Sequence, residues 1–154
     1  MRIRELEKLF QDDKTVDLVL EDLVKDMEIV DKWLDYSLAD FNDNTSEITK
    51  ALNELSIAYG NLRIVLGVAE TEYRNRDVRY WNELKIKAEA EGEKFTDSKA
   101  KQEASLHVAE YRRIRNIVQA YKESADKRIR EAVPRWQDSR FSIGRFSWRY
   151  ENSR

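Results

Sequence analysis

The chain has 154 residues, 38% charged and 41% apolar, with four glycines, one proline, no cysteine and a net charge of −2. Without cysteine, disulfide frameworks, thiolate nucleophiles and sulfur-ligated metal sites are excluded, and with a single histidine so are zinc sites of the common types. So few helix breakers in so charged a chain predict long helices rather than a dense globule.

The charge is unevenly spread. Residues 1–60 carry 15 acids and 7 bases, residues 61–133 carry 13 and 16, and residues 134–154 carry 2 and 5. An acidic front with a basic remainder favours self-association or a polyanionic partner. Residues 1–10 lack the apolar run of a signal peptide, and nowhere do about 18 uncharged apolar residues follow one another. A cytoplasmic protein without membrane contact is expected.

A short amphipathic segment at residues 3–10 comes first. Thr15 can then cap a helix whose apolar positions Val16, Leu20, Leu23, Met27, Val30 and Leu34 alternate steps of four and three, widened by Trp33 and Tyr36. The polar run Asn42, Asp43, Asn44, Thr45 breaks it, and Asn44 with Glu47 reads as a capping box opening the next helix. Its seam runs Ile48, Leu52, Leu55, Tyr59, Leu62, Leu66, Ala69, Tyr73, Arg76, Tyr80, the sustained heptads of coiled-coil packing. With Gly92 as its stop, this helix of about 45 residues would be a rod of roughly 65 Å. A turn at residues 92–97, capped by Thr96 or Asp97, leads to a last helix with the seam Ala100, Ala104, His107, Tyr111, Ile114, Val118, Tyr121, Ala125, Ile129, Ala132, ended by Pro134. The expected fold is all-α. A long antiparallel helical hairpin with an added N-terminal helix forms residues 1–133, and a basic aromatic tail, extended or short-helical, forms residues 134–154.

No catalytic constellation is present. His107 sits on a seam, as a packed or half-exposed residue rather than a general base. Glu89, Glu91 and Glu93 fan out around a helix, and no Gly-Lys-Ser/Thr phosphate loop accompanies Gly60 and Gly67. No enzyme, metal or cofactor is expected. The basic clusters suit single-stranded nucleic acid, with guanidinium groups following phosphates and rings stacking on bases: Tyr73, Arg74, Arg76 and Arg79; Arg112, Arg113 and Arg115; Lys127, Arg128 and Arg130. Ion pairing with Asp77, Glu83 or another subunit is the competing reading for any one of them. Gly60 and Gly67, seven apart on one helix face, mark either a close approach of another helix or a tolerated weak spot. The tail repeats Arg-Phe-Ser. Trp136, Phe141, Phe146 and Trp148 would dock on a neighbouring subunit, since interfaces favour aromatic anchors with arginine, or would stack on bases.

Three segments, "DKWLDYSL" (31–38), "TEYRNRD" (71–77) and "KFTDSKAKQEASLHVAEYRRI" (94–114), resemble the order of features in phage recombination mediators of the UvsY type. The likeness consists of scattered positions over most of residues 1–133. It implies a homo-oligomer that binds single-stranded DNA and helps a RecA-like recombinase displace single-strand-binding protein. Arg74 and Arg76 would be the leading contacts and the C-terminal region the assembly element. Beside this mediator stand two other readings, a coiled-coil adaptor such as a phage assembly component, and an inhibitor whose acidic first helix imitates nucleic acid.

Overall fold

The computed structural model describes residues 15–41 and 44–151, and the side chains of residues 18–41 and 44–141. The expected segment at residues 3–10, the side chain of Thr15 and the side chains of Phe146 and Trp148 lie outside it. Among the described residues the chain is all-α, with α1 (Thr15–Asp35), α2 (Thr45–Glu91), α3 (Asp97–His107) and α4 (Ala109–Glu151) and no strand. No helix among them is long and apolar enough to cross a membrane.

Local signals set most boundaries. The Asn44 side chain accepts the Glu47 N–H at 3.2 Å and so caps the first turn of α2. Gly92, at φ +68°, takes the left-handed conformation that ends α2. Thr96 precedes α3 in extended conformation, and its carbonyl accepts the Ala100 N–H at 3.1 Å.

The last helix departs from expectation twice. It is interrupted at Val108 (φ −97°, ψ 10°), between α3 and α4. Hydrogen bonds still cross this point, from Val108 N–H to the Ala104 carbonyl at 3.2 Å and from Arg112 N–H to the Val108 carbonyl at 3.0 Å. Pro134 does not end the helix but lies inside α4, so the tail is helical as far as Glu151. An interior proline costs a helix about 3 kcal/mol through its missing donor and ring crowding. Side-chain ties just beyond it hold the helix in place: Trp136 Nε1–H donates to Thr49 Oγ1 at 3.1 Å, and Thr45 Oγ1–H donates to Ser139 Oγ at 2.9 Å.

Buried positions along α2 advance by three and four, Ile48, Ala51, Leu55, Ala58, Leu62, Val65 and Ala69, with Leu66 buried beside Val65. The expected seam holds at Ile48, Leu55, Leu62, Leu66 and Ala69 and is displaced by one residue at Leu52 and Tyr59. Leu52 and Tyr59 flank the buried line half-exposed, while Ala51 and Ala58 are fully buried. On α1 the buried line is Val19, Leu23, Val30 and Trp33, and Leu34 is 38% exposed. On α4 it is Tyr111, Ile114, Val118, Ala125, Arg128, Ala132 and Ser139, spaced in threes, fours and sevens.

The chain forms two compact units, Met1–Asp22 with Arg63–Gln119 and Leu23–Leu62 with Ala120–Arg154. In the second unit, α2 and α4 run antiparallel, as the pairs Thr45 with Ser139 and Thr49 with Trp136 require. Trp33 is buried there with its N–H on Glu54 Oε2 at 2.7 Å, and Phe41 and Tyr36 pack on its ring at 6.1 and 5.4 Å. Lys32 Nζ reaches the same Glu54 oxygen at 2.8 Å.

Arg128, expected on a DNA-binding surface, is instead 6% exposed in this unit. Its Nε donates to the Trp33 carbonyl, and its Nη2 donates to the Leu34 and Tyr36 carbonyls, each at 2.6 Å. Nη1 pairs with Glu131 at 3.3 Å. These carbonyls lie at the C-terminal end of α1, where helical partners run out. The cation thus satisfies orphan acceptors and the negative end of the helix dipole together.

Arg128→Ala should lower the unfolding free energy by about 3 kcal/mol or more, because several buried acceptors lose their donors at once. Arg130→Ala, which removes an exposed pair with Asp126, should change it by less than about 0.5 kcal/mol. Chemical denaturation of both variants measures the contrast, and equal effects would contradict the clamp. The bond from Lys32, followed by that from Trp33, holds the Glu54 carboxyl below its ordinary value of 4.5. A lowered folded value gives stability that is complete above 4.5 and is lost as pH falls below it and through the folded value. The difference in urea midpoint between the unchanged protein and Glu54→Gln should therefore shrink as the pH is taken from neutral down to roughly pH 3. A difference independent of pH would rule out this contribution.

Candidate nucleic-acid interface

In the first unit, buried packing on α2 stops at Ala69, and none of residues 70–91 is buried. A row of ring and cation contacts joins α2 to the returning chain instead. The guanidinium groups of Arg115 and Arg112 lie over the Tyr73 ring, 5.2 and 5.7 Å from its centroid. Arg76 lies over Tyr111 at 4.3 Å, and Tyr80 stacks on His107 at 4.1 Å and 10°. Near the turn, Trp81 meets Phe95 edge-on at 5.3 Å and donates its N–H to Asp97 Oδ1 at 3.1 Å. A bond from Lys101, then that from Trp81, holds the Asp97 carboxyl below its ordinary value.

The pairing order, 73 with 112 and 115, 76 with 111, 80 with 107, shows antiparallel helices. It also shows why the row forms. Positions 73, 76 and 80 continue the three-and-four spacing of α2, with rings and a guanidinium where aliphatic side chains stood before. A cation over a ring within about 6 Å is attracted by the ring quadrupole, by ~0.5–1 kcal/mol where water has access. The rung at Tyr73 is half-exposed and therefore weak, whereas Tyr111 is buried.

Seven of the ten nominated residues lie in the first unit, and these do not share one face. Tyr73, Arg112 and Arg115 are brought together. Arg76 is taken up by Tyr111 and by Glu72 at 3.8 Å. Arg74 is exposed, and two residues along a helix turn it about 200° away from Arg76. The resemblance pairs them as leading contacts, but they face opposite ways. Arg79 and Arg113 are exposed. Lys127, buried Arg128 and the Asp126-paired Arg130 belong to the other unit.

Charge compensation separates these residues further. Arg76, Arg128 and Arg130 each have a carboxylate partner. Arg112 Nη2 donates to Ser105, to Oγ at 2.5 Å and to the carbonyl at 3.3 Å. Arg115 donates to Asn116 Oδ1 from Nη2 at 3.0 Å and from Nε at 3.4 Å. Among the described residues neither has a carboxylate partner. Sequence reading passed over Ser105, although it stands two helical turns before Arg112, a spacing that puts both on one side.

Of the residues nominated for assembly, Trp136 is engaged within its own chain, with its N–H on Thr49 and Arg140 over its ring at 4.8 Å. Phe141 is 72% exposed. At Gly60 and Gly67 an added Cβ would meet nothing within 4 Å, so among the described residues no close approach accounts for them. Gly60→Ala and Gly67→Ala should then each stabilise a single chain by about 1 kcal/mol through helix propensity. Loss of stability together with a lower mass in light scattering would instead place a second copy against this face.

The chain matches no protein-family model, no curated protein and no solved structure.

Proposed function

We propose that this chain is a non-enzymatic helical protein that binds single-stranded DNA, works as a homo-oligomer, and takes the strand's phosphates on Arg112 and Arg115. One observation carries this reading. Two guanidinium groups share the half-exposed ring of Tyr73, and their hydrogen-bond partners are neutral oxygens. A phosphate approaching them gains charge-assisted bonds without displacing a carboxylate, whereas at Arg76, Arg128 or Arg130 it would have to break an existing pair. One such patch is weak, and repeating it in an oligomer sums the contacts along a strand and releases counterions at each. The UvsY-type resemblance supports a narrower role, that of a phage-encoded mediator in DNA recombination and repair that loads a RecA-like recombinase against single-strand-binding protein.

A second reading, a coiled-coil adaptor, draws support from the same row, because Tyr73, Tyr80, Trp81 and Tyr111 all have partners inside the chain. Anisotropy of a labelled single-stranded oligonucleotide separates the two. The mediator reading expects binding at low salt that weakens steeply with added salt. The Arg112→Ala, Arg115→Ala double variant should bind at least about tenfold more weakly, with a log–log salt slope shallower by about 2. Absence of binding at micromolar protein in low salt would leave the adaptor reading standing.

A further inference from the structure

We infer that Tyr73 is a base-stacking platform which the free protein keeps covered, and that a bound strand uncovers it by drawing Arg112 and Arg115 onto its phosphates. The inference rests on the single-strand reading above and adds what that strand's bases do.

Among the rings of the row, Tyr73 is the one whose contacts are easiest to exchange. Tyr111 is only 7% exposed and holds Arg76 at 4.3 Å. Tyr80 is stacked on His107 at 4.1 Å. Trp81 is tied through its N–H to Asp97 and edge-on to Phe95. Tyr73, by contrast, is half-exposed and meets its two guanidinium groups at 5.2 and 5.7 Å, near the outer reach of a cation–ring contact at about 6 Å. Among the described residues those groups are held elsewhere by Ser105 and Asn116.

Ring and cations therefore change partners as a set. In the free chain the guanidinium charge rests on the Tyr73 quadrupole and on neutral oxygens. When a strand arrives, the phosphates flanking a nucleotide offer full negative charge to the guanidinium groups, and the base between them offers its face to the ring. Contact with the ring is replaced rather than lost. In a duplex the bases are stacked on each other and have no free face, so the exchange selects single strands while tolerating any base.

The test compares a base-bearing oligonucleotide with an abasic strand of equal length, at low salt, on the full chain. The unchanged protein should bind the base-bearing strand about tenfold more tightly. Tyr73→Phe, which keeps the ring, should retain that preference. Tyr73→Leu should abolish it while leaving the abasic affinity unaltered, and its helicity by circular dichroism should match that of the unchanged protein. Equal binding of both strands by the unchanged protein, or a preference that survives Tyr73→Leu, would overturn the platform and leave the arginine patch intact. If Tyr73→Leu loses helicity, Tyr73→Phe decides the point, since loss of preference in that variant also overturns the platform. Failure to bind either strand would overturn the single-strand reading itself, and the platform with it.

Discussion

The second unit is organised around a single buried cation. A guanidinium is planar and carries its donors in a fixed fork, so when Arg128 bonds the carbonyls of Trp33, Leu34 and Tyr36 it fixes the end of α1 on α4 in both position and direction. Burying that charge costs desolvation, which the carbonyl dipoles at the helix end and the Glu131 carboxylate offset. Trp33 is then held at two points, through its carbonyl by Arg128 and through its indole N–H by Glu54. The rings of Tyr36 and Phe41 close around it.

The first unit is joined by weaker means over the distal part of α2. Past Ala69 the α2 side chains meet the returning chain through rings and cations, beside Ala100, Ala104 and Val108, which are buried on that chain; Tyr111 is buried too, while Tyr73 and Tyr80 are half-exposed. Aliphatic burial has no equally good substitute from a ligand, whereas a cation over a ring does. Phosphate can replace the ring as partner of the cation, and a base can replace the cation as partner of the ring. The stretch of α2 without a buried side chain is thus the part whose contacts a polyanion can replace.

The basic clusters look alike in sequence and differ in the fold. Arg112, Arg113 and Arg115 are nearly consecutive, yet Arg113 is exposed while the other two meet on Tyr73. Lys127, Arg128 and Arg130 read as one basic run, yet the middle one is a buried clamp and Arg130 is paired with Asp126. Helical rotation of about 100° per residue scatters neighbours in sequence over different faces, so a charge run is a poor guide to a surface. Trp136 shows the same limit. It reads as a free anchor beyond Pro134 and is in fact held on Thr49.

What the sequence determined by itself is local. The all-α class follows from composition and heptad spacing. The start of α2 follows from Asn44 and Glu47, its end from Gly92, and the antiparallel return from the short turn, because these signals act within a turn or two of helix. Tertiary structure decided which of two adjacent apolar lines on α2 is buried, and it chose the one with Ala51 and Ala58, whose small side chains suit close packing. It also decided the break at Val108, the passage of α4 through Pro134, the burial of Arg128 and the absence of a described carboxylate beside Arg112 and Arg115. Those outcomes depend on partners far off in the chain, 95 positions in the case of Arg128 and Trp33, which no local spacing encodes.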